Sequence, residues 1–244
     1  MSSSSTSPLD RKAEQLAGQM TLLEHLEELR DRLIRSFIAV VVGTLIAATF
    51  TKQILQLLIA PYGNKLQVLG PTEGISIYFR VALTAGLVLA MPFLIYQLLM
   101  FIIPGLEENE KRYVRWGVPF ASLMFLMGVA FAWFILIPAA IGFLSGWQTD
   151  IFLQEWQSQK YIPFVTSLLF WIGVCFETPL ILFIMTKLGL VSPQFLLKQW
   201  RFAVIIIAIV SAMITPTVDP FNMALVMLPL FALYGVSILL AYLA

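Results

Sequence analysis

Apolar positions along the chain gather into six long runs separated by short polar stretches. A helix needs ~20 apolar residues to cross ~30 Å of hydrocarbon. The runs lie at about Leu33 to Thr51, Val81 to Ile103, Trp116 to Leu144, Ile162 to Thr186, Phe202 to Ile214 and Phe221 to Leu243. The fifth reaches only ~20 Å at the helical rise of ~1.5 Å per residue. Either the bilayer thins there, or the turn from Thr215 to Pro220 lies below the surface behind its neighbours. Pro92, Pro119, Pro138, Pro179 and Pro229 fall inside runs and predict kinks.

A charged amphipathic helix precedes the first run, at Thr21 to Arg35. Leu22, Leu26, Leu29 and Leu33 form one stripe, and acidic and basic residues occupy the rest. Thr21 with Glu24 makes a capping box. Glu28 with Arg32, and Asp31 with Arg35, have the spacing of i,i+4 pairs on a solvated face. After the first run, Lys52 and the segment Gln53 to Ala60 lead into a turn at Pro61, Tyr62 and Gly63. Residues 1–20 are polar and Ser-rich, without the apolar core of a secretory signal, and read as a mobile tail. Residues 21–244 read as a single membrane domain.

Composition agrees: 59% of the 244 residues are hydrophobic and 12% charged, against roughly 25% charged in a soluble domain. The fold class is an all-α polytopic membrane protein with six transmembrane helices. Lys and Arg collect on the cytoplasmic side of such proteins. Eleven of the 15 basic residues lie in the N-terminal region (Arg11, Lys12, Arg30, Arg32, Arg35), the second loop (Lys111, Arg112, Arg115) and the fourth (Lys187, Lys198, Arg201). Lys52, Lys65, Arg80 and Lys160 fall on the other side. This segregation predicts that both termini are cytoplasmic. Trp116 and Trp200 on one side, and Trp147, Trp156 and Tyr161 on the other, fit interfacial belts.

Enzymatic chemistry has little to work with. Cys175 is the only cysteine, so no internal disulfide or Cys/His metal pattern exists. His25, the only histidine, lies outside the runs, and no HExxH, GxxxxGK[ST] or GxGxxG occurs. We expect no catalytic residues, cofactor, metal site or nucleic-acid partner. Glu177, midway along the fourth run, is the exception: an acid at a helix centre costs ~2.5–3.5 kcal/mol and calls for a partner or a role. It is read as an internal tie to a neighbouring helix, a docking point for another chain's membrane helix, or a proton-sensitive switch. The loop Pro104 to Arg112 carries Glu107, Glu108 and Glu110 beside Lys111 and Arg112, on the same side as Glu28. Two acidic clusters there suit a short basic peptide, arginines above all, because guanidinium forks match carboxylates. A helix-capping loop is the plainer alternative. A small-solute or ion transporter using Glu177 is another, though the two halves show no self-similarity.

Four sets of residues, in order and spacing, resemble the TatC component of the twin-arginine protein translocase: His25, Leu26, Glu28, Leu29 and Arg30; Phe101, Pro104, Leu106, Glu110 and Arg112; Phe176, Glu177 and Pro179; Thr215, Pro216 and Asp219. The resemblance covers about Met20 to Leu243. It implies a cupped six-helix receptor and scaffold without enzyme activity, in a prokaryotic plasma membrane or a thylakoid. Glu28 and Glu110 would bind twin-arginine signal peptides, supported by Arg30, Phe101, Lys111 and Arg112. Glu177 would dock single-span TatA/TatB-type subunits, and Pro61 and Asp219 match outer-loop positions that affect function. Partners implied are the signal peptides of folded cargo, the single-span subunits, further copies of the chain and membrane lipid, with the proton-motive force as energy source. Met223 stands where the family often has Gln, and Lys111 where it often has Arg.

Overall fold

The structure, a computed structural model, describes residues 22–102, 111–146, 155–215 and 219–243, with side-chain surroundings for these except 22, 23, 102 and 111–116. The predicted tail at 1–20 lies outside the described residues. Helices α1 (Leu22–Ile59), α2 (Glu73–Ile102) and α3 (Lys111–Phe131) come first. A π-helical turn at Ala132–Leu136 joins α3 to α4 (Ile137–Gly146). Then follow α5 (Ser158–Cys175), α6 (Thr178–Lys187), α7 (Pro193–Lys198), α8 (Trp200–Ile214) and α9 (Pro220–Leu243). Among the described residues the only β pairing is an isolated bridge between Gln67 and Gln157.

Five helical stretches are long and apolar enough to cross a membrane: Glu24–Ile59, Glu73–Phe101, Gly117–Gly146, Ser158–Lys187 and Pro220–Leu243. Each contains most or all of a predicted run. The remaining run, the fifth, corresponds to the shorter α8, whose 15 residues reach ~22 Å. Thr215 at its end is 4% exposed, and residues 216–218 of the predicted turn lie outside the described residues.

Element ends differ more from expectation. The amphipathic segment, the first run and Gln53 to Ile59 form one 38-residue helix, ~57 Å long. Lys52 does not end it, because its side chain is exposed and a charge at a span's end leaves backbone hydrogen bonding intact; Pro61 follows just beyond its last residue. Likewise α2 starts eight residues before Val81, with Arg80 exposed on its surface.

The prolines also divide. Pro92, Pro119 and Pro229 lie within continuous helices. Pro138 follows the π turn, where the Ile137 N–H reaches back to the carbonyl of Ala132. A proline ring crowds the carbonyl four residues earlier, and the wider turn lies where α-helical bonding would meet it. Pro179 sits in the first turn of α6, directly after the break that divides the fourth span between Cys175 and Thr178.

The core is centred on α5. Ile162, Val165, Leu168 and Ile172 are fully buried among Val81, Leu136, Ile137 and Val226. Two glycine crossings set the helix spacing. A Cβ on Gly43 would lie 2.6 Å from the Gly86 carbonyl oxygen, and one on Gly128 would lie 2.9 Å from the Gly173 Cα. Backbones can approach this closely only without side chains. We call the end of the bundle where α1 begins the near end, and the opposite end the far end.

Candidate functional site

At the near end, the helical repeat places His25, Glu28 and Arg32 on one face of α1, and Gln97 and Phe101 on one face of α2. Antiparallel packing brings the two faces together. His25 stacks on Phe101 with ring centroids 4.3 Å apart. The Arg32 guanidinium donates through Nε to Glu28 Oε1 at 2.9 Å and through Nη2 to the same oxygen. Its Nη1 donates to Gln97 Oε1 at 3.2 Å, and Gln97 is buried. The second Glu28 oxygen, Oε2, is buried without a hydrogen-bond partner among the described residues; His25 Nδ1 stands 3.9 Å away. A buried acceptor left unfilled costs ~1–3 kcal/mol, which a donor from outside can recover.

The i,i+4 pair of Glu28 with Arg32 is as expected, but it is largely covered rather than solvated. The pair of Asp31 with Arg35 is replaced by one to the adjacent Arg30, whose guanidinium lies 2.9 Å from Asp31. Arg30 therefore faces solvent and contacts Asp31 rather than Glu28. The leucine stripe is corrected too: Leu26 and Leu33 are exposed, and the polar face packs inward. Among the described residues the polar face finds Gln97 and Phe101, while Leu26 and Leu33 stay largely uncovered. Glu110 lies outside the described residues. Lys111 and Arg112 open α3, with side chains outside the described set. Gln97 was missed, although a polar residue within an apolar run, one turn before Phe101, was a legible signal.

Glu177 lies in the break between α5 and α6. The side chain is 7% exposed and its Oε1 has no hydrogen-bond partner, so the internal tie through that oxygen is absent. The adjoining Phe176 lines an apolar cleft of about 450 Å³ with Phe131 and Ile135 on one side and Leu225, Pro229 and Leu233 of α9 on the other.

At the far end, Pro61 borders a surface cavity of about 340 Å³ with Tyr62, Trp133 and Pro138. Tyr62 stacks on Trp156 at 4.7 Å. Tyr161, expected in an interfacial belt, is buried and donates to the Leu58 carbonyl at 2.9 Å. Asp219 caps α9: Oδ1 accepts from the Asn222 backbone at 2.7 Å and Oδ2 from the Asn222 side chain at 2.9 Å. Sequence reasoning also missed Glu73. Buried at the start of α2, it accepts from the Leu69 backbone at 3.1 Å, Gln157 Nε2 at 3.0 Å and Ser158 Oγ at 3.3 Å. Its partners Gln157 and Ser158, where α5 begins, are more than 80 residues away, so no local pattern signals it.

Comparison with known proteins places the sequence and the fold in one family. The profile of the family described as Sec-independent protein translocase protein (TatC) matches residues 24–229. A Sec-independent protein translocase protein TatC from Deinococcus radiodurans is 40% identical over 232 residues, covering 90% of this chain and 85% of the relative. One from the cyanobacterium Synechocystis is 36% identical over 217 residues, covering 88% and 85%. A crystal structure of the twin arginine translocase receptor TatC superposes with a TM-score of 0.83 at 36% identity, covering 90% of this chain and 99% of that one. The protein is thus a multi-pass membrane component of a bacterial plasma membrane or thylakoid rather than an enzyme, and it belongs to the TatC family of Sec-independent protein translocases.

Proposed function

We propose that this chain is the receptor and scaffold subunit of a twin-arginine translocase, binding signal peptides at the near end, which faces the cytoplasm in a six-span topology. The observation that carries the reading is the buried, unfilled Oε2 of Glu28, beside the stacked rings of His25 and Phe101. A guanidinium from the peptide donates to Oε2 and lies against the ring pair; both contacts suit a planar, weakly hydrated cation. Glu110 takes the second arginine, with Lys111 and Arg112 setting the local charge and Arg30 supporting the site from its outer face.

The same subunit docks single-span TatA/TatB-type partners through Glu177. Its unfilled oxygen accepts a hydrogen bond from a partner helix lying along the neighbouring cleft. Pro61 and Asp219 keep the far-end turns in the shape assembly needs. Copies of the chain and its partners then carry folded cargo across on the proton-motive force.

The test is binding by the purified full chain. A peptide with two consecutive arginines binds more tightly than its twin-lysine version, and charge reversal at Glu28 or Glu110 abolishes both that preference and export. Equal binding of the two peptides, with export unchanged in the charge-reversed variants, overturns the reading. Uptake of a small solute by the chain alone favours a transporter.

A further inference from the structure

Arg32 is engaged on three of its nitrogens. Nε and Nη2 converge on one oxygen of Glu28, while Nη1 is held by the buried Gln97. A guanidinium frequently spans both oxygens of a carboxylate. Here Nε and Nη2 both meet Oε1 while Gln97 holds Nη1, and the buried Oε2 is left without a donor. The His25 Nδ1 contact, at 3.9 Å, is too long to fill it. Glu28 is therefore neutralised in charge yet unsatisfied in hydrogen bonding.

We propose that Arg32, braced by Gln97, is the residue that makes the Glu28 site select arginine over lysine. The inference rests on the receptor reading above. Against a bare carboxylate any cation gains Coulomb energy, and lysine competes well. Against a carboxylate already paired, a compact ammonium gains little for the water it must shed. A guanidinium sheds water more readily, donates in its plane to Oε2 and stacks on the rings of Phe101 and His25. Arg32 and Gln97 are positioning residues acting through Glu28: they turn an anion site into a directional acceptor.

The experiment measures, by fluorescence anisotropy on the full chain in nanodiscs, the dissociation constants of twin-arginine and twin-lysine signal peptides at low and high salt. The wild type prefers the twin-arginine peptide. In Arg32→Gln the twin-lysine peptide gains affinity, the preference falls about tenfold or more, and lysine binding weakens with salt because charge now drives it. Arg32→Lys, which keeps the neutralising charge, retains most of the preference. Gln97→Leu, which frees only Nη1, moves the ratio in the same direction by a smaller factor and stands in should Arg32→Gln fail to fold. A wild type that binds both peptides alike overturns the receptor reading, and this inference with it. A discriminating wild type whose ratio is unchanged in Arg32→Gln or, in its place, Gln97→Leu, overturns the role of Arg32 alone, as does an equal loss of both peptides.

Discussion

A Cβ on Gly86 would stand 2.5 Å from the backbone nitrogen of Thr44, so α1 and α2 meet there backbone against backbone. Little of α1 is buried elsewhere, and α2 is its main neighbour. The crossing therefore aligns the two helices, and Glu28 lies about 24 Å along α1 from Thr44 at the helical rise. A small rotation at the crossing becomes a displacement of several ångströms where His25, Glu28 and Arg32 meet Gln97 and Phe101.

Gly86→Val is expected to force the helices apart and destabilise the protein by about 1–3 kcal/mol, the usual cost of overpacking. Thermal unfolding of the purified chain should fall, and twin-arginine peptide affinity with it. Gly74→Ala on the same helix, where a Cβ meets nothing within 4 Å, is expected to change neither.

Phe101→Ala should weaken peptide binding several-fold, because it removes the ring stacked on His25; such ring pairs contribute about 0.5–1.5 kcal/mol beyond their burial. Phe101→Tyr keeps the ring and should bind near the wild-type level. Peptide titration of both variants decides it, and loss of affinity in Phe101→Tyr as severe as in Phe101→Ala would count against a stacking role.

Glu73→Ala should lower stability by about 1.5–3 kcal/mol, since Leu69, Gln157 and Ser158 all lose a common carboxylate acceptor. Glu73→Gln keeps the shape and part of the acceptor capacity, so its loss should be smaller. Limited proteolysis between Pro61 and Thr72 checks the mechanism: that loop should become easier to cut in Glu73→Ala.

These residues show what the sequence makes legible. Apolar runs announce spans because the bilayer demands length and hydrophobicity, and both are local properties. The pair of Glu28 with Arg32 was readable for the same reason, being four residues apart on one helix. The orientation of the α1 leucine stripe was not: an apolar stripe points inward in a soluble protein, yet Leu26 and Leu33 point outward here. Helix ends were missed at Lys52 and Arg80 because a charge marks where hydrocarbon stops, while the helix continues until its backbone bonding is broken. Glu73 and Gln97 acquire their meaning from residues 65 to 85 positions away, which only the fold brings near.

Glu177→Gln and Glu177→Leu should leave the stability of the isolated chain unchanged or slightly raised, because a buried oxygen without a partner contributes no favourable bond there. Their effect should appear in assembly: co-purification of single-span partner subunits should fall in Glu177→Leu, which has no polar atom to offer. Full partner assembly and export in both variants would remove Glu177 from the docking site.

The most direct measurement is site-specific photocrosslinking in membranes that contain the full translocase, from a probe at position 101 beside Glu28 and another at position 176 beside Glu177. The account predicts that the near-end probe captures a twin-arginine signal peptide, that excess unlabelled twin-arginine peptide competes the adduct away while twin-lysine peptide does not, and that the probe at 176 captures a single-span subunit. A near-end adduct that both peptides compete equally, or a signal peptide captured only from position 176, would contradict it.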